Sequence, residues 1–213
     1  MRPDADTDRG LIVREVGCVL GSAMAPEAPS PTVIPAFAAE FRRYRSLAEK
    51  ATAQVSWNDL RVSLDRETNS IAVVMKHVGG NLKSRWTDAL TTDGEKPWRD
   101  RDREFVDDFA DDDTGREQLT QAWQAGWRVL ESQLATFTDA DLSRTLTIRG
   151  EPHTLALALA RSLSHTAYHC GQIVQISRVL ASRTGTDWMT LTVPRGGTKE
   201  FNRGMGYEPG SLR

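Results

Sequence analysis

Four long segments of the chain place apolar residues at the spacing that forms one face of an α-helix. The predicted helices span about residues 36–55, 70–91, 114–136 and 154–182. In the second helix this apolar face comprises Ile71, Met75, Val78, Leu82, Trp86 and Ala89. Residues able to cap a helix start are found at the last three helices: Asn69 or Ser70, Thr114 and Thr154. Four helices with longer connections predict an all-α fold, a four-helix bundle.

The segments between these helices are polar and contain turn-forming residues. Residues 57–66 form a connection with room for a short helical turn, and residues 92–113 form a long acidic connection. Long connections in compact domains are often functional. Residues 145–148 alternate polar and apolar before Arg149-Gly150, which predicts a short strand or hairpin. The last thirty residues are rich in glycine and proline and predict an irregular C-terminal tail.

The N-terminal segment differs in composition from the rest of the chain. Residues 1–33 show no continuing apolar period, so we expect a disordered N-terminal extension followed by one domain over residues 34–213. Arg14 and Glu15 interrupt the apolar stretch 11–20, which argues against a secretory signal peptide. A cytoplasmic protein is therefore expected, with Met1 and Met24 both open as start sites.

Charge and cysteine content restrict the class of protein further. The 27 basic and 29 acidic residues give a formal net charge of −2, which does not favour a nucleic-acid-binding protein. No apolar run is long enough for a transmembrane helix, so no membrane partner is expected. Cys18 and Cys170 are the two cysteines, and reduced thiols are a simpler interpretation than a disulfide. The sequence leaves a homodimer open.

The histidines carry the candidate chemistry. His165 and His169 lie four residues apart in the fourth predicted helix, so their side chains project from one face. His77 lies in the middle of the second, and metal sites in bundles are built from facing helices. Three imidazoles with a fourth position open are typical of catalytic zinc, although nickel, iron and manganese also remain candidates. The alternative is that these are buried, hydrogen-bonded histidines. His153 precedes a helix and is interpreted as a turn or capping residue.

Two neighbouring features allow more than one interpretation. Gly79 and Gly80 are unusual inside a helix, where each glycine costs about 1 kcal/mol relative to alanine. They either let another group approach His77 or allow close helix packing. Cys170 lies about 100° around the helix from His169, so a buried, unreactive thiol is favoured over a metal ligand.

Two segments resemble a known superfamily. The segment from His165 to Ile173 reads HTAYHCGQI and resembles the His-x-x-x-His-x-Gly-Gln signature of the DinB-like (YfiT-like) metalloproteins. Residues 69–82 resemble the second-helix ligand segment, and the similarity extends over about residues 34–205. The resemblance implies a bundle with up-down-down-up connectivity and a divalent metal on His77, His165 and His169.

The resemblance also suggests activities. Relatives include S-transferases that use low-molecular-weight thiols and a maleylpyruvate isomerase. We therefore expect a metal-dependent enzyme, with thiol S-transfer onto a small-molecule substrate as the leading hypothesis. A metal-dependent hydrolase and a non-catalytic, metal-binding stress-response module are the alternatives. Asn81, Arg85 and Trp98 are the candidate substrate-pocket residues, with Trp98 and Arg99 as a candidate lid.

Overall fold

Four long helices form the fold, and the connections between them add short helices and one hairpin. The computed structural model describes residues 32–207 and 210. In chain order the elements are α1 (Val33–Thr52), α2 (Trp57–Leu60), α3 (Ile71–Trp86), a 3₁₀ turn (Asp102–Phe105), α4 (Asp113–Leu134), a second 3₁₀ turn (Asp139–Ser143), β1 (Thr145–Ile148), β2 (Glu151–Thr154), α5 (Leu155–Arg183) and α6 (Thr198–Gly204).

The side-chain contacts between the long helices define their relative directions. Arg45 bonds Glu131 while Glu49 accepts from Trp123, so α1 and α4 are antiparallel. Gly79 lies against Ala122, and seven residues further along α3 the Trp86 ring packs on Phe137, so α3 and α4 are parallel. His77 meets His165 and the Trp86 indole donates to Ser162, so α3 and α5 are antiparallel. The order is up-down-down-up, as the resemblance implied.

The core lies between the four helices and matches the predicted apolar faces. All six positions predicted to face inwards from the second long helix of the sequence analysis are buried, including Ala89, which follows the end of α3. The largest fully buried side chains include Trp86, Trp127 and Phe41, and the Phe41 and Trp127 rings pack edge to face with centroids 6.4 Å apart. Burial of each such side chain contributes roughly 1.5–3 kcal/mol to folding. The bundle therefore has a stabilising core of its own.

The first helix begins three residues earlier than predicted. Val33 and Ile34 donate their backbone N–H groups to the Asp139 carboxylate, at 2.8 and 2.9 Å. The N-cap residue Thr32 makes no side-chain capping bond. Pro35 fits within the first turn because proline lacks only an N–H that has no partner there. The helix start thus depends on a residue more than a hundred positions away, which a local pattern cannot reveal.

Other boundaries also differ from the predictions. The third helix of the chain, α3, ends at Trp86 rather than near residue 91, and Asp88 then adopts a positive φ of 46°. Asp112 caps α4 instead of Thr114, whereas Ser70 and Thr154 cap α3 and α5 as predicted. The predicted hairpin forms, with Ile148 opposite Glu151.

The C-terminal tail is not wholly irregular, because residues Thr198–Gly204 form α6. The predicted N-terminal extension lies almost wholly outside the described residues. Among the helices that the structure describes, none is both long and apolar enough to span a bilayer.

Two glycines allow α3 and α4 to touch through their backbones. A Cβ atom on Gly126 would lie 2.3 Å from the carbonyl oxygen of Gly79, and one on Gly79 would lie 2.7 Å from that of Ala122. No side chain fits at such distances, so the helices approach as closely as their backbones permit. For Gly79, the helix-packing interpretation is therefore correct.

Candidate metal centre

The structure brings together the three histidines that the sequence selected. His77 extends from the middle of α3, while His165 and His169 extend from one face of α5. One ligand nitrogen from each lies within 4.8 Å of the other two. The Nε2 atoms of His77 and His165 are 3.1 Å apart. His77 is buried, and the other two are half-buried.

A buried carboxylate orients His77. The Nδ1 atom of His77 lies 2.9 Å from Oε2 of Glu104, which the 3₁₀ turn Asp102–Phe105 supplies. Because a carboxylate accepts, Nδ1 is the protonated nitrogen and Nε2 presents its lone pair towards His165. Arg99 donates to both Glu104 oxygens, at 2.9 and 2.8 Å. Burial would raise the pKa of Glu104, but the bonds from Arg99 and His77 outweigh it and lower that pKa.

Gly80 makes room for this carboxylate. A Cβ atom at Gly80 would lie 2.1 Å from Oε1 of Glu104. Absence of a side chain therefore lets Glu104 reach the His77 ring, and Phe105 covers the same ring at a centroid distance of 4.6 Å. The two sequence interpretations of the glycine pair each hold for one glycine: Gly79 permits helix packing and Gly80 permits the approach to His77.

A side-chain amide orients His169. Its Nδ1 atom lies 2.8 Å from Oε1 of Gln172, one helical turn further along α5. The amide nitrogen of Gln172 in turn donates to the Tyr168 hydroxyl at 3.1 Å. The Nδ1–H group of His169 is thus engaged and its Nε2 lone pair is available. This explains why a glutamine follows the two histidines at this spacing.

The surroundings of His165 and His169 favour the neutral form of these two imidazoles. Burial lowers the pKa of His165 to about 3, with further lowering by His169, His77, Arg99 and Arg85. Burial is also the main cause that lowers the pKa of His169, against the opposing bond from Gln172. Neutral imidazole is the form that binds a metal ion. His165 and His169 therefore each keep a nitrogen lone pair at neutral pH.

These residues fit a divalent ion. A tetrahedral zinc site with bonds of about 2.0–2.1 Å places its ligand nitrogens roughly 3.3 Å apart, close to the observed separation of His77 and His165. The Nδ1 of His165 is buried without a hydrogen-bond partner. The other two imidazoles have the outer-shell acceptors that metal-binding histidines usually have. The donor set suits zinc and other imidazole-binding divalent ions.

A polar cavity of about 400 Å³ adjoins the cluster, and His77 and His165 form part of its wall. A smaller inner cavity of about 130 Å³ shares part of that wall and continues towards Ala158 and Ser162. The small side chains of these two residues leave this space on the face of α5 that carries His165. The cavity is large enough for a small molecule.

The structure places two of the three predicted pocket residues at the cavities. Asn81 and Arg85 line both cavities. Trp98 does not: it is 53% exposed and lies beside Lys83, whose ammonium is 5.2 Å from the ring centre. The neighbouring Arg99 lines the cavity instead, because the Glu104 carboxylate draws its guanidinium inwards. The lid prediction for Trp98 is therefore not supported.

Two further side chains take defined positions. His153 lies in strand β2 and lines the cavity, so its interpretation as a turn or capping residue is wrong. It is not part of the three-histidine group. Cys170 is buried, and burial raises the pKa of its thiol to about 12, as expected for an unreactive cysteine. Glu104, which orients His77, was not among the residues predicted from the sequence.

Replacement of Glu104 by glutamine is expected to weaken metal binding about 10- to 100-fold, the usual effect of losing an outer-shell carboxylate. The amide keeps the shape but loses the charge that strengthens the His77 ligand. Competition with a fluorescent chelator measures the affinity. Glu131→Gln, on α4 and paired with Arg45, is the matched control and should leave the affinity unchanged. Equal affinities for both variants would contradict a role for Glu104.

Comparisons with known proteins agree with this architecture. A family described as "Protein of unknown function (DUF1572)" matches residues 31–197. Comparison with curated proteins gives no match. The structure is similar to YfiT from Bacillus subtilis, described as a probable metal-dependent hydrolase with an unusual four-helix bundle topology. The identity is 18%, the TM-score is 0.55, and the match covers 79% of this chain and 97% of that one.

A second solved structure is a DinB-like protein from Bacillus cereus ATCC 10987. It is 14% identical, with a TM-score of 0.50, and the match covers 76% of this chain and 98% of that one. Both matches confirm the DinB-like four-helix fold that the sequence predicted.

Proposed function

The chain belongs to the family described as "Protein of unknown function (DUF1572)", and we propose that it is a divalent-metal-dependent enzyme, with hydrolysis as its first candidate reaction. The observation that carries this proposal is the position of three clustered imidazoles beside a cavity large enough for a small molecule. A purely structural site would have four protein ligands, whereas a catalytic site leaves one position open to the cavity. YfiT, which shares the fold, is itself described as a probable metal-dependent hydrolase.

Some of the chain's own residues would orient the metal ligands, and others would orient the substrate. When bound, a divalent ion supplies Lewis acidity, which lowers the pKa of a coordinated water or thiol. Glu104 and Gln172 hold the His77 and His169 rings in the required tautomer. The polar cavity wall, including Asn81, would orient the substrate next to this centre.

Thiol S-transfer is the second candidate reaction. The resemblance to thiol-dependent transferases favours it, and so does a basic cavity that suits thiols with carboxylate groups. Cys170 does not supply the thiol, because it is buried and its pKa is raised. The thiol would therefore come from a small molecule.

One experiment separates the candidates. Tag-free protein is loaded with zinc, nickel, iron or manganese and tested on model esters, with and without a panel of low-molecular-weight thiols and electrophiles. Metal-dependent ester turnover without thiol supports the hydrolase. Turnover that needs a thiol, accompanied by a new Co–S absorption in the cobalt-loaded protein, supports the transferase.

The controls isolate the metal centre. His169→Ala should lose turnover, while Cys170→Ala, one residue away, should retain it. Metal-loaded protein that turns over neither class of substrate would overturn the proposal and leave a non-catalytic metal-binding module.

A further inference from the structure

Positive charge dominates the wall of the cavity beside the histidines. The wall contains five arginines, from α3, α5, the hairpin and the long connection between α3 and α4: Arg85, Arg99, Arg101, Arg149 and Arg161. Among the lining residues the one carboxylate is that of Glu151, an exposed residue of the hairpin. This excess of positive charge in the cavity next to a candidate catalytic centre points to a negatively charged ligand.

Three of these arginines already lie beside a carboxylate. Arg99 donates to the Glu104 carboxylate and lies 3.3 Å from that of Glu95. Arg149 shares Glu95, at 3.2 Å. Arg101 is half exposed, lies 3.9 Å from the Asp102 carboxylate, and has its guanidinium 5.0 Å from the centre of the Phe105 ring. The uncompensated charge therefore lies on Arg85 and Arg161.

Arg85 lacks a counter-charge in contact. Its Nη1 atom is buried without a hydrogen-bond partner. Burial lowers its pKa; Glu95 opposes this, and the neighbouring arginines add to it. A guanidinium remains charged at neutral pH even so, and a buried charge without a partner is costly. Gly94 leaves space for it, because a Cβ there would lie 3.3 Å from Nη1.

Arg161 faces the same cavity from α5 and is positioned without being neutralised. Its Nη1 donates to Nε2 of His153. The Nδ1 of His153 lies 3.0 Å from the backbone carbonyl oxygen of Glu151 and donates to it, so Nε2 is the accepting nitrogen of a neutral ring. An imidazole that accepts in this way fixes the guanidinium but leaves its positive charge uncompensated.

We propose that Arg85 and Arg161 form an oxyanion-binding subsite, which holds a carboxylate or phosphate group of the ligand beside the three-histidine cluster. Guanidinium groups match both oxyanions through paired N–H donors. The identification of this ligand as a substrate rests on the proposed function. The anion subsite itself needs no metal ion.

The test measures the binding of inorganic phosphate and of malonate by calorimetry, in metal-loaded wild-type protein and in variants. Arg85→Gln and Arg161→Gln should each weaken binding about tenfold or more, as expected for lost hydrogen bonds to a charged group. The matched control Arg43→Gln, an exposed residue of α1, should bind as the wild type does. The tighter of the two probes identifies the oxyanion class.

Histidine variants distinguish anion binding at this subsite from anion binding at the metal centre. His169→Ala should still bind the probe, and His153→Ala should bind it more weakly because Arg161 loses its positioning partner. If His169→Ala abolishes probe binding and the arginine variants do not, the anion binds at the metal and the proposal is overturned. Arginine-dependent binding without any enzyme turnover would refute the proposed function and leave the subsite standing.

The melting temperature provides a second test of the subsite. If Arg85 only stabilised the fold, its replacement would lower the melting temperature. Without probe, Arg85→Gln should melt at a higher temperature than the wild type, because a half-buried, uncompensated charge has been removed. Addition of phosphate should raise the melting temperature of the wild type more than that of the variant. A lower melting temperature for Arg85→Gln, or probe binding equal to wild type, would overturn the subsite.

Discussion

Replacement of His169 by alanine is expected to reduce the metal content from about one ion per chain to almost none, because two imidazoles form a poor site for a divalent ion. The same result is expected for His77→Ala and His165→Ala. Elemental analysis of tag-free protein, after equal exposure to metal and gel filtration, measures the content. The melting temperature of the metal-free variants should change much less than the metal affinity, because the bundle has its own apolar core.

The fourth histidine provides the control for this experiment. His153 lines the cavity but is not among the clustered histidines. His153→Ala should therefore retain the ion. Equal metal loss in all four alanine variants, or retention in the three cluster variants, would show that the site is wrongly placed.

Replacement of Gly126 by alanine is expected to destabilise the fold by about 1–3 kcal/mol, the usual cost of overpacking. The added methyl group would meet the backbone of Gly79, which cannot rotate away as a side chain can. For a domain of this size, each kcal/mol lowers the melting temperature by roughly 2–4 °C. Thermal unfolding followed by circular dichroism measures the loss.

Gly171→Ala is the matched control, since a Cβ at that position of α5 would meet nothing within 4 Å. There the better helix propensity of alanine should stabilise the protein by up to about 1 kcal/mol. Destabilisation of the same size in both variants would contradict the close-contact explanation. Because Gly79 is two residues from His77, Gly126→Ala should also weaken metal binding.

The helices and the metal-binding candidates could be predicted because both depend on local spacing. An apolar residue at every third or fourth position selects one helix face, and the interval between His165 and His169 puts both rings on one face. Assignment of His77 to the same cluster needed the bundle architecture, since nothing local links α3 to α5. The predicted four-helix bundle supplied that link, and the resemblance to DinB-like proteins agreed with it.

The features that were missed depend on contacts between distant segments. Glu104 lies in an acidic connection without any periodicity, and what distinguishes it from its neighbours is its contact with His77, Arg99 and Gly80 in the folded chain. The start of α1 depends on Asp139 in the same way. Trp98 and Arg99 were proposed together as a lid, and the sequence does not distinguish them. The ion pair with Glu104 does, because it draws only Arg99 into the cavity wall.

The separation of the metal-binding candidates along the chain has a consequence for biosynthesis. His77 and His165 are 88 positions apart, and His165 lies in the last long helix of the described bundle. During translation the ribosome releases α3 well before α5, so the nascent chain holds a single member of the cluster while the 88 positions from His77 to His165 are added. Metal capture must then follow docking of α5, and an early ion cannot guide the folding of the first three long helices.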